Sequence, residues 1–379
     1  MAFTVGILGG GQLARMLALA GAPLGLRFLV LDSVADACAG QVAPLLQADY
    51  RDHAALEEFA ARVDVATFDF ENVPAASAEW LAARVPVYPN PRALAVSQDR
   101  LEEKNLFRGL GLATPEFAVV DSLEDLRQAV AAIGLPAILK TRRLGYDGKG
   151  QFRLRGPGDV EAAWAALGGA ALILERFVAF ERELSVLGVR SSTGQFVAYP
   201  LVENWHASGI LSASLAPAAV SAGLADEALA VARTLAEALD YVGVFALELF
   251  LVEGRLMANE MAPRVHNSGH WTIEGAETSQ FENHLRAVLG APLGSIAPRG
   301  TSAMLNWVGQ LPARDAALAE AAAHWHDYGK ASRPGRKVGH LTLRADAPAT
   351  LAGSLARVGR ALEREAQVAP VLAALAKHT

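Results

Sequence analysis

The chain has one cysteine, Cys38, among 379 residues, which excludes an intramolecular disulfide. A lone thiol without metal-ligand spacing around it reads as a small buried residue. An excess of positive charge is also missing: 34 Lys and Arg stand against 40 Asp and Glu, for a net charge of −6. That balance gives no electrostatic footprint for a nucleic acid or an anionic membrane. No apolar run reaches the length of a membrane span. The start, Met1-Ala-Phe-Thr-Val-Gly-Ile-Leu-Gly-Gly, has neither the charged opening nor the long apolar core of a signal peptide. A reducing, cytoplasmic setting is the expectation, with a small molecule or a protein as partner.

Core-building residues are plentiful, at 52% of the sequence. A single core stops growing at roughly 250–300 residues, so this length predicts two or three domains. The first is legible as alternating strands and helices: Val5 to Leu8, a turn at Gly9-Gly10-Gly11, a helix from Gln12 to Ala20, and a strand from Arg27 to Leu31 ending at Asp32. A helix over Ala54 to Val63 and strands over Val65 to Asp69 and Val85 to Tyr88 complete a parallel α/β sheet. Pro89-Asn90-Pro91 breaks the pattern, and a polar helix from Ser97 to Phe107 leads onward.

Further strands are expected at Ala137 to Lys140, from Phe152, at Ala171 to Glu175, Leu184 to Val189 and Phe196 to Val202. Helices are expected over Asp159 to Leu167 and Ala222 to Leu239. After Pro298 come short strands at Ser302 to Val308 and Leu341 to Arg344, a basic turn from Arg333 to His340, and a helix from about Leu351. The domains are therefore drawn at residues 1–96, 97–297 and 298–379.

The densest chemistry lies in Asn259-Glu-Met-Ala-Pro-Arg-Val-His-Asn-Ser-Gly-His270, which packs a carboxylate, a guanidinium, two imidazoles and two amides into twelve residues. Before it, Glu248 interrupts the apolar strand Val244 to Val252, a hairpin turn follows at Val252 to Arg255, and a strand returns through Glu260. Glu248 and Glu260 meet on one face if the register permits. Hard oxygen ligands with no soft ligand nearby point to Mg²⁺, its octahedron completed by substrate phosphates. His266 and His270 are four apart, but Asn267-Ser268-Gly269 between them reads as a loop and argues against zinc. His324 and His326 read as strand surface.

Gly9-x-Gly11-x-x-Ala14, with Asp32 ending the next strand, fits a dinucleotide site, another phosphate site, or a purely structural turn. The loop Gly145-Tyr-Asp-Gly-Lys-Gly-Gln151 suits a cover over polyphosphate, with Lys149 adding charge. Lys140 ends an apolar strand, where an amine is costly unless it meets an anion. The connection from Glu175 to Val178 and on to Glu183 can offer backbone groups to a purine edge and a carboxylate to ribose hydroxyls.

Taken in order, Lys104, Lys140, the Gly145 to Gln151 loop, Glu175 to Val178, Glu183, Glu248 and Glu260 resemble the series of an ATP-grasp enzyme over nearly the whole chain. Ile7 to Leu17, Phe70-Glu-Asn-Val-Pro74, Gly145 to Gln151, Asn259 to His270 and Arg333 to His340 narrow the resemblance to the 5-(carboxyamino)imidazole ribonucleotide synthases of purine biosynthesis. The resemblance implies a Rossmann-like N-terminal domain of α/β type, a two-lobed ATP-grasp domain and a small β-rich C-terminal domain, the whole mixing α/β and α+β. It implies a homodimer that uses MgATP and bicarbonate to carboxylate the exocyclic amine of 5-aminoimidazole ribonucleotide.

The resemblance assigns ATP to Arg100, Lys104, Lys140, Gly145, Tyr146, Asp147, Gly148, Lys149, Gly150, Gln151, Glu175, Arg176, Phe177, Val178, Glu183, His206, Asn259 and Glu260. It assigns the ribonucleotide to Gly11, Gln12, Leu13, Glu71, Tyr146, Lys149, Lys330, Arg336 and Lys337. Mg²⁺ falls to Glu248 and Glu260, and bicarbonate chemistry to Arg264, His266 and Asn267. One departure is Ala262, where many ATP-grasp enzymes carry an Asn; Asn259 and Asn267 are the substitutes within reach. The alternatives are another ATP-grasp ligase such as formate-dependent glycinamide ribonucleotide transformylase, an NAD-dependent dehydrogenase, which explains only the first third of the chain, and a non-catalytic ATP-sensing module.

Overall fold

The computed structural model describes residues 3–145 and 149–377. Strands β1 (Thr4–Leu8), β2 (Arg27–Asp32), β3 (Leu45–Gln47) and β4 (Val65–Phe68) form a parallel sheet in the order β3-β2-β1-β4. Their apolar runs are buried nearly throughout, as a sheet covered on both faces requires. The expected strand at Val85 to Tyr88 is reduced to one bridge, Val87 to Ala66. Pro86 and Pro89 flank it and have no N–H to extend a ladder. That leaves β4 at one edge, and the opposite edge is β3, three residues long and too short to carry a periodic signal.

A second sheet, antiparallel, holds β5 (Phe117–Val120), β6 (Ala137–Thr141), β7 (Gln151–Leu154) and β8 (Leu172–Arg176) in the order β5-β8-β6-β7. Helices Leu123–Ile133 and Val160–Leu167 bury Leu126, Ala129, Ile133, Val160 and Ala163 against it.

The third sheet has nine strands: β9 (Arg182–Arg190), β10 (Phe196–Ala198), β11 (Val202–Ala207), β12 (Ile210–Ala216), β13 (Gly243–Val252), β14 (Arg255–Ala262), β15 (Thr301–Val308), β16 (Ala323–Asp327) and β17 (Lys337–Ala345). Its path is β14-β13-β9-β11-β12-β15-β17-β16, with β10 paired to β9. The C-terminal strands thus continue the central sheet through the β12–β15 pairing. The strand expected from Phe196 to Val202 is divided into β10 and β11, with Pro200 between them.

Alternation along the strands separates two faces. Phe245, Leu247 and Leu249 pack with helix Ala222–Ala238, whereas Val244, Leu187, Val189 and Val202 join the core shared with helices Gln12–Gly21 and Gln280–Val288. Thr67 of β4 reaches across to His284 Nε2 at 2.8 Å. The second face therefore looks toward the parallel sheet, and it is the face that carries Glu248.

Candidate functional site

The β13–β14 hairpin turns at Glu253 and Gly254, whose φ values of 50° and 73° belong to a tight two-residue connection. The ladder runs in step from that turn to Leu249 opposite Ala258, and an irregularity there passes over Asn259 and sets Glu248 directly opposite Glu260. Burial and the neighbouring charge of Glu260 push Glu248 up to about 7. Burial would raise Glu260 too, but Arg100, donating to Glu260 Oε2 at 2.8 Å, and the charges of Lys140 and Lys104 hold it down at about 2. Two carboxylates so placed are an electrostatically incomplete set that a hard cation completes. Among the described residues no group of three or more His, Cys, Asp or Glu is arranged for a metal. Asn267 is not a spare ligand: its Nδ2 donates to Asn306 Oδ1 at 3.0 Å and its Oδ1 accepts from Asn306 Nδ2.

Beside this pair lies a buried cationic cradle. Glu175 stands opposite Ile138 in the β6–β8 ladder, so the next residue on the same face of β6 is Lys140. Lys140 Nζ donates to Glu175 Oε2 at 2.8 Å, and Lys104 Nζ is 3.7 Å from the same oxygen while donating to Asn259 O at 2.6 Å. Burial opposes ionisation of Glu175, yet the two lysines hold it at about 2. Glu175 Oε1 has no partner although it is buried. The cradle is net cationic and half satisfied, the electrostatics of a site for a polyanion.

Glu183 accepts or shares a hydrogen bond with His206 Nδ1 at 2.8 Å. Burial lowers His206, but this bond and the charges of Glu248 and Glu183 raise it overall. Arg176 turns away to Glu116, 2.7 Å distant, and Phe177 lies under Arg153 at 4.0 Å, so the segment from Arg176 to Val178 has backbone rather than side chains to offer a base. Gln151 pairs with Lys140, and Arg100 Nη2 reaches Gly145 O at 3.4 Å. Tyr146, Asp147 and Gly148 lie outside the described residues.

Three distant segments meet on the other side of Glu248. Glu71, from the loop after β4, accepts from Arg264 Nε at 2.5 Å; burial alone would raise it, but the guanidinium brings it below the usual range. His266 Nε2 is 3.5 Å from Glu248 Oε1. Lys330, between β16 and β17, bonds Gln12 Oε1 in the glycine turn, and the charges of Arg336 and Lys337 both act on it. Lys337 also acts electrostatically on Glu248, His206 and His266.

The glycine turn itself is occupied by the protein. Gly10 N donates to Asp32 Oδ2 at 2.5 Å and Gly11 N donates to Asp69, while a Cβ on Gly11 would lie 2.3 Å from Asp69 Oδ2. The structural-turn reading is therefore favoured over a phosphate cradle at these two amides, and Asp32, the acid of the dinucleotide pattern, is engaged by the turn itself. His270 is fully buried, with Nδ1 3.2 Å from Gln280 Nε2, and among the described residues no zinc set forms around it. His326 is not plain strand surface: it stacks on His340 at 4.2 Å and pairs with Glu274 at 2.7 Å.

Sequence reasoning missed several supporting residues. Gln98 Nε2 clamps Glu71 O at 2.7 Å and Val73 O at 2.6 Å; Asp99 binds Arg142 and Arg143; Glu103 accepts from Met261 N at 2.7 Å. All three sit within Ser97-Gln-Asp-Arg-Leu-Glu-Glu-Lys104, a run that reads as an ordinary polar helix start. Its signal is that one helix carries an acid and a lysine, Glu103 and Lys104, side by side and both buried.

Comparison with known proteins places this geometry. Residues 1–98 match the ribonucleotide synthetase preATP-grasp domain, residues 105–281 the ATP-grasp domain, and residues 302–353 the phosphoribosylaminoimidazole carboxylase C-terminal domain. The N5-carboxyaminoimidazole ribonucleotide synthase of Pseudomonas aeruginosa is 55% identical over 362 residues, covering 95% of this chain and 99% of that protein. The Bacillus subtilis enzyme of the same name is 40% identical, covering 89% and 90%. The crystal structure of N5-carboxyaminoimidazole ribonucleotide synthetase from Thermus thermophilus superposes with a TM-score of 0.91 at 57% identity, covering 94% of this chain and 98% of that one. An Aspergillus clavatus N5-carboxyaminoimidazole synthase, solved in complex with ADP and 5-aminoimidazole ribonucleotide, gives 0.89 at 32% identity, covering 96% and 99%. With all three domain models and full-length relatives in agreement, the chain belongs to the N5-carboxyaminoimidazole ribonucleotide synthase family of ATP-grasp ligases.

Proposed function

We propose that this protein carboxylates the exocyclic amine of 5-aminoimidazole ribonucleotide, consuming ATP and bicarbonate and releasing ADP and phosphate, as a step in purine biosynthesis. The observation that carries the reading is the juxtaposition of the Glu248/Glu260 pair and the Lys104/Lys140 cradle with Arg264, His266 and Lys330, drawn from distant parts of one chain. Family membership supplies the reaction class, and the Pseudomonas aeruginosa and Bacillus subtilis enzymes share 99% and 90% of their length with this chain.

Bicarbonate is a poor electrophile, and every other reactant is anionic. Phosphoryl transfer onto bicarbonate creates a mixed anhydride, carboxyphosphate, which carries a leaving group and a route to carbon dioxide beside the amine. The protein's task is positioning and charge compensation. Lys104 and Lys140 meet the nucleotide's phosphates, Arg100 bridges Glu260 and the start of the glycine loop, and Glu183 with His206 meets the ribose. Arg264 presents a planar fork for bicarbonate, held in orientation by Glu71. Gln12, Lys330, Arg336 and Lys337 hold the ribonucleotide on the C-terminal side. Glu248 and Glu260 fit Mg²⁺, which when bound supplies charge compensation between the nucleotide's phosphates.

A homodimer, a cytoplasmic setting, the division at residues 96 and 297, and roles for Tyr146, Asp147, Gly148 and Lys149 in the cover over the phosphates complete the reading. Among the described residues no helix is long and apolar enough to cross a membrane. The test is an ATPase assay with single omissions: phosphate release is expected only with Mg²⁺, bicarbonate and 5-aminoimidazole ribonucleotide together. Turnover with formate and without bicarbonate, or hydride transfer to a nicotinamide, overturns it.

A further inference from the structure

One face of the large sheet carries a buried row of small polar side chains that apolar packing does not need. Ser185 lies opposite Glu248 across β9 and β13, and Ser214 lies opposite Asn204 across β12 and β11. Ser185, Ser214 and Ser268 are at most 1% exposed and Asn204 is 5% exposed. They form one continuous hydrogen-bonded chain. Ser214 Oγ donates to Asn204 Oδ1 at 2.7 Å, Asn204 Nδ2 donates to Ser185 Oγ at 3.0 Å, and Ser185 Oγ donates to Ser268 Oγ at 2.8 Å. The chain ends at His266, whose Nδ1 lies 2.9 Å from Ser268 Oγ.

The direction of this chain is a matter of proton counting. Ser185 accepts from Asn204 and gives its own proton to Ser268, so the hydroxyl proton of Ser268 is left for His266 Nδ1. The backbone gives the same answer independently: Ser268 N donates to His266 Nδ1 at 3.3 Å, and an amide N–H has no acceptor role to exchange. Nδ1 therefore holds a lone pair, and the proton of the neutral ring is on Nε2, the nitrogen 3.5 Å from Glu248 Oε1. The main chain of His266 is fixed as well, its N–H donating to Gln280 Oε1 at 2.9 Å and its carbonyl accepting from Gln280 Nε2 at 2.7 Å.

We infer that Ser268 is a positioning residue that sets the tautomer and orientation of His266, so that the imidazole presents an Nε2–H donor to an oxyanion beside Glu248, with Ser185, Asn204 and Ser214 locking the Ser268 hydroxyl. This rests on the proposed carboxylation only for the identity of that oxyanion, the bicarbonate-derived group. A ring in this tautomer steadies a developing negative charge and has no lone pair on that side with which to take the amine proton.

The experiment uses the full chain with ¹⁵N-labelled imidazoles, the His266 signals assigned by their loss in His266→Asn. The substrate-free protein is expected to show a pyridine-like Nδ1 and a pyrrole-like Nε2. In Ser268→Ala the Ser268 N–H, at 3.3 Å, is left as a weak donor to Nδ1, and in Ser185→Ala the Ser268 hydroxyl is unlocked, so in both the spectrum is expected to move toward exchange between tautomers, further in Ser268→Ala. Each variant should also lower kcat for carboxylation about 10-fold, the usual scale for a group that orients a reacting side chain, while KM for ATP stays within about twofold. A protonated Nδ1 in the parent protein, or two variants with unchanged spectra and kcat, overturns the assignment. The spectral arm needs no turnover, so failure of the carboxylation reading would be seen separately, as an inactive parent with the expected tautomer.

Discussion

Replacing Glu175 by Gln removes the negative charge that sits within reach of both Lys104 and Lys140 in the cradle. The three side chains are 3%, 1% and 12% exposed, with Glu175 Oε2 3.7 Å from Lys104 Nζ and 2.8 Å from Lys140 Nζ. Breaking a buried ion pair from one side costs on the order of 3–5 kcal/mol, because the surviving charge keeps its desolvation penalty. Glu175 Oε1 already lacks a partner, so the amide forfeits little else and the lower end, about 3 kcal/mol, applies. For a cooperative unit of roughly 150–250 residues that is a fall in Tm of about 6–12 °C by calorimetry at pH 7. The sign with pH follows from a native-state value of about 2 against an ordinary 4.5: the contribution is complete above 4.5 and is lost as pH falls through 2. The gap between parent and variant should therefore be full at pH 7 and close between pH 4.5 and 2. MgADP should narrow it at pH 7, by restoring negative charge beside the lysines. A gap below about 1 °C at pH 7, or one that widens on acidification, refutes the reasoning.

Three further outcomes follow from the same geometry. Glu260→Gln removes one carboxylate of the register-matched pair and the partner of Arg100; turnover should be lost while the melting profile shows a folded protein, and retained turnover contradicts the metal assignment. Lys330→Ala removes the bond to Gln12 between the N-terminal turn and the C-terminal strands; KM for the ribonucleotide should rise on the order of 10-fold or more with KM for ATP little changed, and equal effects on both would refute its placement. His284 is buried and held down at about 4 from 6.5 by burial, so its contribution to stability is complete above pH 6.5 and is lost as pH falls through 4. At about 1.4 kcal/mol per pH unit that is roughly 3 kcal/mol, and urea unfolding of His284→Gln should show a correspondingly flatter pH dependence in that window.

Much of this fold is written in short-range pattern. The Val244 to Val252 run, the two-residue turn at Glu253 and Gly254 and the returning strand are enough to predict the hairpin, but the register of that turn alone sets Glu248 opposite Asn259. The irregularity after Glu248 shifts the pairing by one residue to Glu260, and no residue in the sequence marks it. The glycine turn was ambiguous because its meaning depends on Asp69, 58 residues away, which takes the Gly11 amide that a phosphate would otherwise use. The false strand at Val85 to Tyr88 shows an apolar run overruled by the missing amides of proline. Gln98 and Gln280 escaped notice for another reason: their importance lies in which backbone groups they clamp, and nothing in a Gln announces a distant partner. The Ser185–Asn204–Ser214 row is similar, since isolated small polar residues in strands are ordinary until three strands bring them into line.

In the proposed reaction bicarbonate is activated by phosphoryl transfer before its carbon reaches the amine. Bicarbonate labelled with ¹⁸O, incubated with Mg²⁺, ATP and 5-aminoimidazole ribonucleotide, tests that step directly. One labelled oxygen should pass into each phosphate released, with one carboxylated ribonucleotide formed per phosphate. Phosphate that forms at the same rate without the label, or carboxylated product that accumulates without ATP cleavage, contradicts it.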